Sequence, residues 1–316
     1  MLRPIWMMAM ILVAVAWACG GESGGGDEGG TTPTAAGTAT ASAGSGPAGK
    51  IVYRSNRDGN WEVYAINADG TDERNLTNDP ATDYYPWLSP DGSQVVFVSN
   101  RDDGPHLFIM NADGSGVRRL DGTEGAVDPR WSPDGRQIAF IRGGLDVINA
   151  DGSDLREVVK HAIGSTAPCT RGTFPGGWSP DSKRIVYYAA AESVETTAIC
   201  SVAVDGSDIE LLVSEPPAFH VEPVWSPDGR YIAFRSIREG NHDIYVLDLE
   251  TDEEQRLTED PARDIEPAWS PDGEWLAFAS SRDGANTDIY IMRKDGSDVR
   301  RLNINSDIDS EPSWAP

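Results

Sequence analysis

The chain has 316 residues, 39% of them apolar, with 33 glycines. Apolar residues and glycine together fall in the ordinary globular range, which excludes global disorder. Asp and Glu number 51 against 26 Lys and Arg, a formal charge of −25. That balance excludes the basic footprint of nucleic-acid binding and charge-driven adhesion to anionic lipid. It describes a soluble, self-repelling surface, so a monomer is expected, with a cation or a basic protein as the fitting partner.

The first residues read as an address. Arg3 precedes an apolar run from Ile5 to Ala18, too short to span a bilayer, which takes about 20 residues. A positive start, a short apolar stretch and small residues before a cut make a secretory signal. The run ends Ala16-Trp17-Ala18-Cys19-Gly20, which resembles the lipobox of bacterial lipoproteins, where the Cys receives diacylglyceryl and becomes the mature N-terminus. The resemblance implies a signal peptide over 1–18, lipidation of Cys19 and export to the bacterial cell envelope, in the periplasm or on the outer face of the cytoplasmic membrane. Gly, Ala, Ser and Thr then dominate as far as Gly49. Such a composition cannot bury enough surface to offset its ordering entropy, so 19–49 is predicted to be a flexible tether.

Repeats govern the rest. Trp-Ser-Pro-Asp-Gly stands at Trp131, Trp225 and Trp269, with variants at Leu88 and Trp178, and Trp314 opens a further copy that ends at Ala315-Pro316. The serines of the five full copies are 43, 47, 47 and 44 residues apart. Each copy continues with an apolar run (Ile138-Ala139-Phe140, Ile232-Ala233-Phe234, Leu276-Ala277-Phe278) and a polar turn such as Arg282-Asp283-Gly284. A second run such as Asp288 to Met292, an Asp-Gly turn and a short basic strand such as Val299 to Leu302 complete it. Asp-Gly between apolar runs is a strong hairpin signal because the turn needs positive φ. Apolar residues on consecutive positions predict strands buried on both faces. A period of about 44 residues with four strands is the signature of a β-propeller blade. Arg74, Arg118, Arg119, Arg156, Arg256, Arg300 and Arg301 fall on the outermost strands, where charge blunts an open sheet edge. Lys50 to Arg54 has the pattern of a second strand without a first, and Glu311 to Trp314 that of a first without a second. The expected fold is therefore all-β: a six-bladed propeller over 50–316, closed by pairing of its N- and C-terminal segments.

Repeats of this form, with Pro-x-Trp-Ser-Pro-Asp-Gly-x-x-Ile-Ala-Phe followed by Arg-Asp-Gly, Ile-Tyr, Asp-Gly and Arg-Leu, resemble the C-terminal propeller of the TolB family. The resemblance implies a six-bladed propeller with a non-catalytic binding role, receiving a protein partner at the channel mouth.

Candidate site residues follow from the repeat register. Each innermost strand begins beside a Pro, and the residue before it is placed at one channel mouth: Tyr85, Asp128, Pro175, Glu222, Glu266 and Glu311. Two residues earlier stand Asp83, His220, Asp264 and Asp309. Carboxylates gathered there repel one another and raise some pKa values unless a cation or an Arg or Lys relieves them. The expected ligand is an envelope protein or basic peptide segment, with Ca²⁺ as the lesser candidate. The Asn-Ala-Asp-Gly segments (Asn67 to Gly70, Asn111 to Gly114, Asn149 to Gly152) resemble half a calcium loop but lack the closing Glu, so they are read as hairpin turns. The alternative is a metal-assisted hydrolase or lyase at the mouth. Peptidases of the prolyl oligopeptidase type carry an added hydrolase domain for which no room is expected here. The four histidines, His106, His161, His220 and His242, place only His220 at the mouth, and one His among carboxylates is a weak metal site. A purely structural envelope component is the third reading. Cys169 and Cys200 are expected to form a disulfide pinning the 160–176 loop, since an exported chain meets oxidising conditions.

Overall fold

A computed structural model describes residues 46–160, 169, 174–190, 197–214, 219–303, 305 and 307–316. The expected signal peptide, Cys19, His161 and the tether as far as residue 45 lie outside these residues. Residues 1–44 and 45–316 form separate units, and the propeller lies within the second. Among the described residues no helix is long and apolar enough to cross a membrane.

The regular elements described are 24 strands in six four-stranded antiparallel sheets, arranged as the blades of a propeller. The innermost strands of blades two to six are Asp83–Leu88, Val127–Trp131, Phe174–Trp178, His220–Trp225 and Asp264–Trp269. Blade one takes its innermost strand, Asp309–Ala315, from the other end of the chain. That strand pairs antiparallel with Lys50–Ser55, in the register Lys50↔Ala315, Ile51↔Trp314 and Ser55↔Asp309. The expected closure is thus present, and it joins segments some 260 residues apart with ordinary ladder bonds.

The Trp-Ser-Pro-Asp-Gly motif recurs because it builds the turn after each innermost strand. In blade three, Ser132 Oγ donates to Asp134 Oδ1 (2.6 Å) and accepts from Gln137 N (2.9 Å). Asp134 Oδ1 also accepts from Arg136 N at 3.0 Å. Pro133 supplies the fixed φ of the turn, and Gly135, at φ 70°, donates its N–H to Ser132 O at 2.9 Å.

Second strands are buried on both sides, as their unbroken apolar runs require. In blade three, Ile138 and Phe140 pack toward Val96, Val98 and Leu107 of blade two. Ala139, pointing the other way, packs with Trp178, Ile185 and Tyr187 of blade four. The core is therefore a series of layers between neighbouring blades, with the aromatic of each run (Tyr53, Phe97, Phe140, Tyr187, Phe234, Phe278) fully buried.

Candidate functional site

Innermost strands do not run straight into the channel. Each ladder slips at the Xaa-Pro step, between Tyr84 and Trp87, Val127 and Arg130, Val221 and Val224, and Ile265 and Ala268. The residue before the Pro is left-handed in five blades: φ is 54° at Tyr85, 55° at Asp128, 56° at Glu222, and 58° at Glu266 and Glu311. A bulge of this kind re-aims one side chain, and a non-glycine there costs about 1–3 kcal/mol.

Part of that cost is offset by a ladder running around the channel. Glu222 Oε2 accepts from Glu266 N (2.9 Å), Glu266 Oε2 from Glu311 N (2.6 Å), and Glu311 Oε2 from Tyr85 N (2.6 Å). Each carboxylate thus holds the bulged residue of the next blade. The ladder stops at Tyr85, which has no carboxylate, and Pro175 in blade four has no N–H to offer Asp128.

Arginines absorb most of the remaining charge. Arg54 Nη1 lies 3.1 Å from Glu311, Arg130 Nη1 2.5 Å from Asp128, and Arg235 Nη2 2.9 Å from Glu222. Among the described residues no ion pair is made by Glu266, so four ring carboxylates meet three guanidinium groups. The strongly negative mouth expected from the sequence is, at this ring, close to balanced. Burial is the largest influence on these groups. It pushes Glu311 up to about 8, with Glu266 adding to the rise and Arg54 opposing it. Burial and Glu222 raise Glu266, and burial raises Asp128 against the pull of Arg130.

Two residues before the ring positions, Asp83, His220, Asp264 and Asp309 are fully withdrawn from solvent. Arg101 Nη2 holds both oxygens of Asp83 (3.1 and 2.9 Å) while its Nε donates to Ser99 Oγ (2.8 Å). Arg282 holds Asp264 and Ser280 in the same way, and Arg57 reaches Asp309 and Ser55 across the closing blade. These carboxyls clamp the Arg-containing turn to their own blade, and burial raises each of them against the arginine. In blade five, His220 takes the Asp position and sits edge-on to Phe234 at 5.7 Å. Arg238 there pairs with Glu254 instead. The signal was present in the sequence: Ser and Arg follow Asp83 and Asp264 at the same distances of 16 and 18 residues.

The ring and its arginines Arg54 and Arg130 frame a cavity of about 210 Å³ at this end of the channel, lined also by Trp87, Phe174, Tyr188 and Pro223. The opposite end holds a cavity of about 400 Å³ lined by the Trp-Ser-Pro segments, including Trp131, Trp178 and Trp269. Trp87 and Val224 line both.

No group of three or more His, Cys, Asp or Glu side chains placed to hold a metal occurs among the described residues. His106 lies 3.0 Å from Gly104 O. His242 lies 3.1 Å from Arg235 Nη1, and burial and the arginines pull it down to about 4. In the Asn-Ala-Asp-Gly segments Asp69 accepts from Thr71 N (3.0 Å) and Thr71 Oγ1 (2.6 Å), an arrangement that closes the hairpin turn. Cys169 and Cys200 are joined in a disulfide, Cα–Cα 6.0 Å, and Tyr187 OH donates to Cys169 O at 2.9 Å.

Comparisons with known proteins agree with this architecture. The family model of the TolB beta propeller domain matches residues 31–207 and 145–316. An uncharacterized peptidase YuxL of Bacillus subtilis is 30% identical over 40% of this chain and 25% of its own length. The Tol-Pal system protein TolB of Syntrophus aciditrophicus is 40% identical over 20% of this chain and 14% of its own. The chain thus spans a quarter or less of these relatives. The crystal structure of TolB from Acinetobacter baumannii superposes with a TM-score of 0.70 at 20% identity, covering 85% of this chain and 67% of that one. The family match extends over more than half of the chain, and the chain belongs to the TolB β-propeller domain family.

Proposed function

We propose that this protein is a non-catalytic binding module of the bacterial cell envelope that docks a protein or peptide partner at the ringed mouth of its channel. Membership of the TolB β-propeller family supports a protein-binding role, and the name of the Syntrophus relative points to an envelope setting. The observation that carries the choice of site is the mouth itself. It combines an open cavity, charged side chains and an aromatic, Phe174, that is 39% exposed. Exposed apolar surface rimmed by polar groups is the usual mark of an interaction site. The mouth carboxylates are engaged by backbone N–H groups and arginines, an arrangement suited to presenting a rigid docking surface.

The module is held outside the cytoplasmic membrane by a lipid on Cys19, with residues 19–49 as its tether. Cys19→Ser should release the protein into the soluble envelope fraction; retention of the variant in membranes as full as the parent's would refute lipidation.

Docking is tested by the double variant Glu266→Gln with Glu311→Gln. Both amides keep an oxygen for the ring N–H groups, so folding should survive. Capture of the same envelope partners with undiminished affinity would show that the mouth is only a solvated surface.

A further inference from the structure

Blade four breaks the six-fold pattern of the mouth. Where the other innermost strands have Xaa-Pro, it has Pro175-Gly176-Gly177. Gly176 is required there: a Cβ would stand 1.8 Å from Pro223 O. Blade four therefore brings neither a carboxylate nor an N–H to the ring, and its share of the wall is aromatic. Phe174 stacks on Tyr188 with centroids 4.8 Å apart and planes at 11°.

The other aromatic groups of the cavity are already covered by guanidinium groups. Arg130 sits 4.3 Å over Trp87, and Arg54 5.9 Å over Tyr85. The Phe174–Tyr188 pair has no such cover among the described residues. The three ring glutamates line the same cavity, and of these Glu266 makes no ion pair among the described residues. A space of about 210 Å³ is below the ~300–1,000 Å³ of pockets that take a whole small ligand, and it suits one extended side chain.

We infer that the mouth cavity receives a single cationic side chain of the partner, its stem along the Phe174–Tyr188 wall and its charge against Glu266. This rests on the proposal that a partner docks at the mouth. Glu266, which makes no ion pair among the described residues, supplies the counter-charge, and a second cation would meet the ring arginines. An aliphatic stem buries apolar surface on the aromatic wall while its charge stays at the polar side, and an uncovered ring face attracts a cation in its own right.

The test uses n-butylammonium as the stand-in for a lysine side chain, with n-butanol and butyrate as neutral and anionic controls, titrated into the purified full chain by ligand-observed NMR. Butylammonium should bind at least about tenfold more tightly than either control. Glu266→Gln should weaken it by about tenfold and Phe174→Ala by several-fold, while Val117→Ala, at an exposed position on the outer edge, changes nothing. Melting curves establish that each variant is folded, and the second mouth variant keeps the test decisive if one is not. Equal binding of butanol, tighter binding of butyrate, no binding of the amine, or an affinity unmoved by both mouth variants overturns the inference. Partner capture is scored separately. Capture lost in the variants with amine binding unchanged sinks the cation site and leaves docking standing. Amine binding lost with capture unchanged leaves the cation site standing and sinks docking.

Discussion

Arg282→Met is the sharpest test of what holds the blades together. The guanidinium contacts both oxygens of Asp264 at 2.9 and 3.0 Å and donates from Nε to Ser280 Oγ at 2.9 Å. It also lies over Phe278 and Tyr290 at 5.3 and 5.0 Å. Asp264 has no exposure and Arg282 keeps 16% of its side chain exposed, so the pair is buried on one side and nearly so on the other. Methionine keeps the apolar stem and removes the charge, leaving a buried carboxylate with hydroxyl partners only. Breaking such a pair from one side costs about 3–5 kcal/mol. At about 2–4 °C per kcal/mol for a domain of this size, that lowers Tm by roughly 6–20 °C near neutral pH. Lys294→Met supplies the contrast. Its 2.8 Å pair with Glu274 is about half exposed on both sides and is worth about 0–1 kcal/mol. The sign with pH is fixed as well. Burial already raises Asp264, opposed by Ser280 and Arg282. Without the arginine the carboxyl rises further, and its stabilising neutral form is lost as pH climbs through that raised value. The variant should therefore recover part of its deficit on acidification toward about pH 5, read by circular dichroism melts across pH. A Tm loss no larger than that of Lys294→Met, or a deficit that grows on acidification, would refute the reasoning.

Further outcomes follow from other contacts. Glu311 sits at about 8 in the folded chain against an ordinary 4.5, so its neutral form stabilises fully below 4.5 and is progressively lost toward 8. The Tm difference between Glu311→Gln and the parent should shift in the variant's favour as pH rises through that window; a flat difference contradicts it. The disulfide joins cysteines 31 residues apart, so Cys200→Ser should cost about 3–4 kcal/mol in urea unfolding. The parent, denatured without reductant, should show neither of these thiols to a thiol reagent; finding both titratable would rule the bridge out. Truncation before Asp307 removes the strand that pairs with Lys50–Ser55 and should abolish cooperative melting, whereas an unchanged melt would contradict closure.

The blades were legible because their signals are local. Ser-Pro-Asp-Gly encodes its own turn through Ser and Asp side chains, and Ile-Ala-Phe encodes a strand buried on both faces. The closing blade was legible because two unmatched half-patterns complete each other. The ring residues could be picked out by the Pro that follows them, although nothing in the sequence marks their left-handed φ or the ladder that it permits. Their counterions were not found because they occupy positions where the repeats disagree. Arg54 and Arg235 follow the buried aromatic of the second strand, where the other blades have Val98, Ile141, Tyr188 and Ala279. Arg130 stands where other blades have Trp87, Gly177, Val224, Ala268 and Ser313. Reading the repeats for agreement recovers the scaffold; the mouth is written in their differences. The clamps on Asp83, Asp264 and Asp309 went unread for a related reason. Their partners, the Ser-x-Arg turns, were read as turns alone, so the clamp that withdraws Asp83, Asp264 and Asp309 from solvent went unseen.

Docking at the mouth is tested most directly by site-specific photocrosslinking in living cells. Benzoylphenylalanine replaces Phe174 at the mouth, Asp181 at the Trp-Ser-Pro end, or Ile209 on the outer edge, residues that are 39%, 58% (side chain) and 43% exposed respectively. A discrete protein adduct is expected from position 174, diminished by Glu266→Gln with Glu311→Gln, and none from 181 or 209. Discrete adducts from 181 or 209 with none from 174 would contradict it.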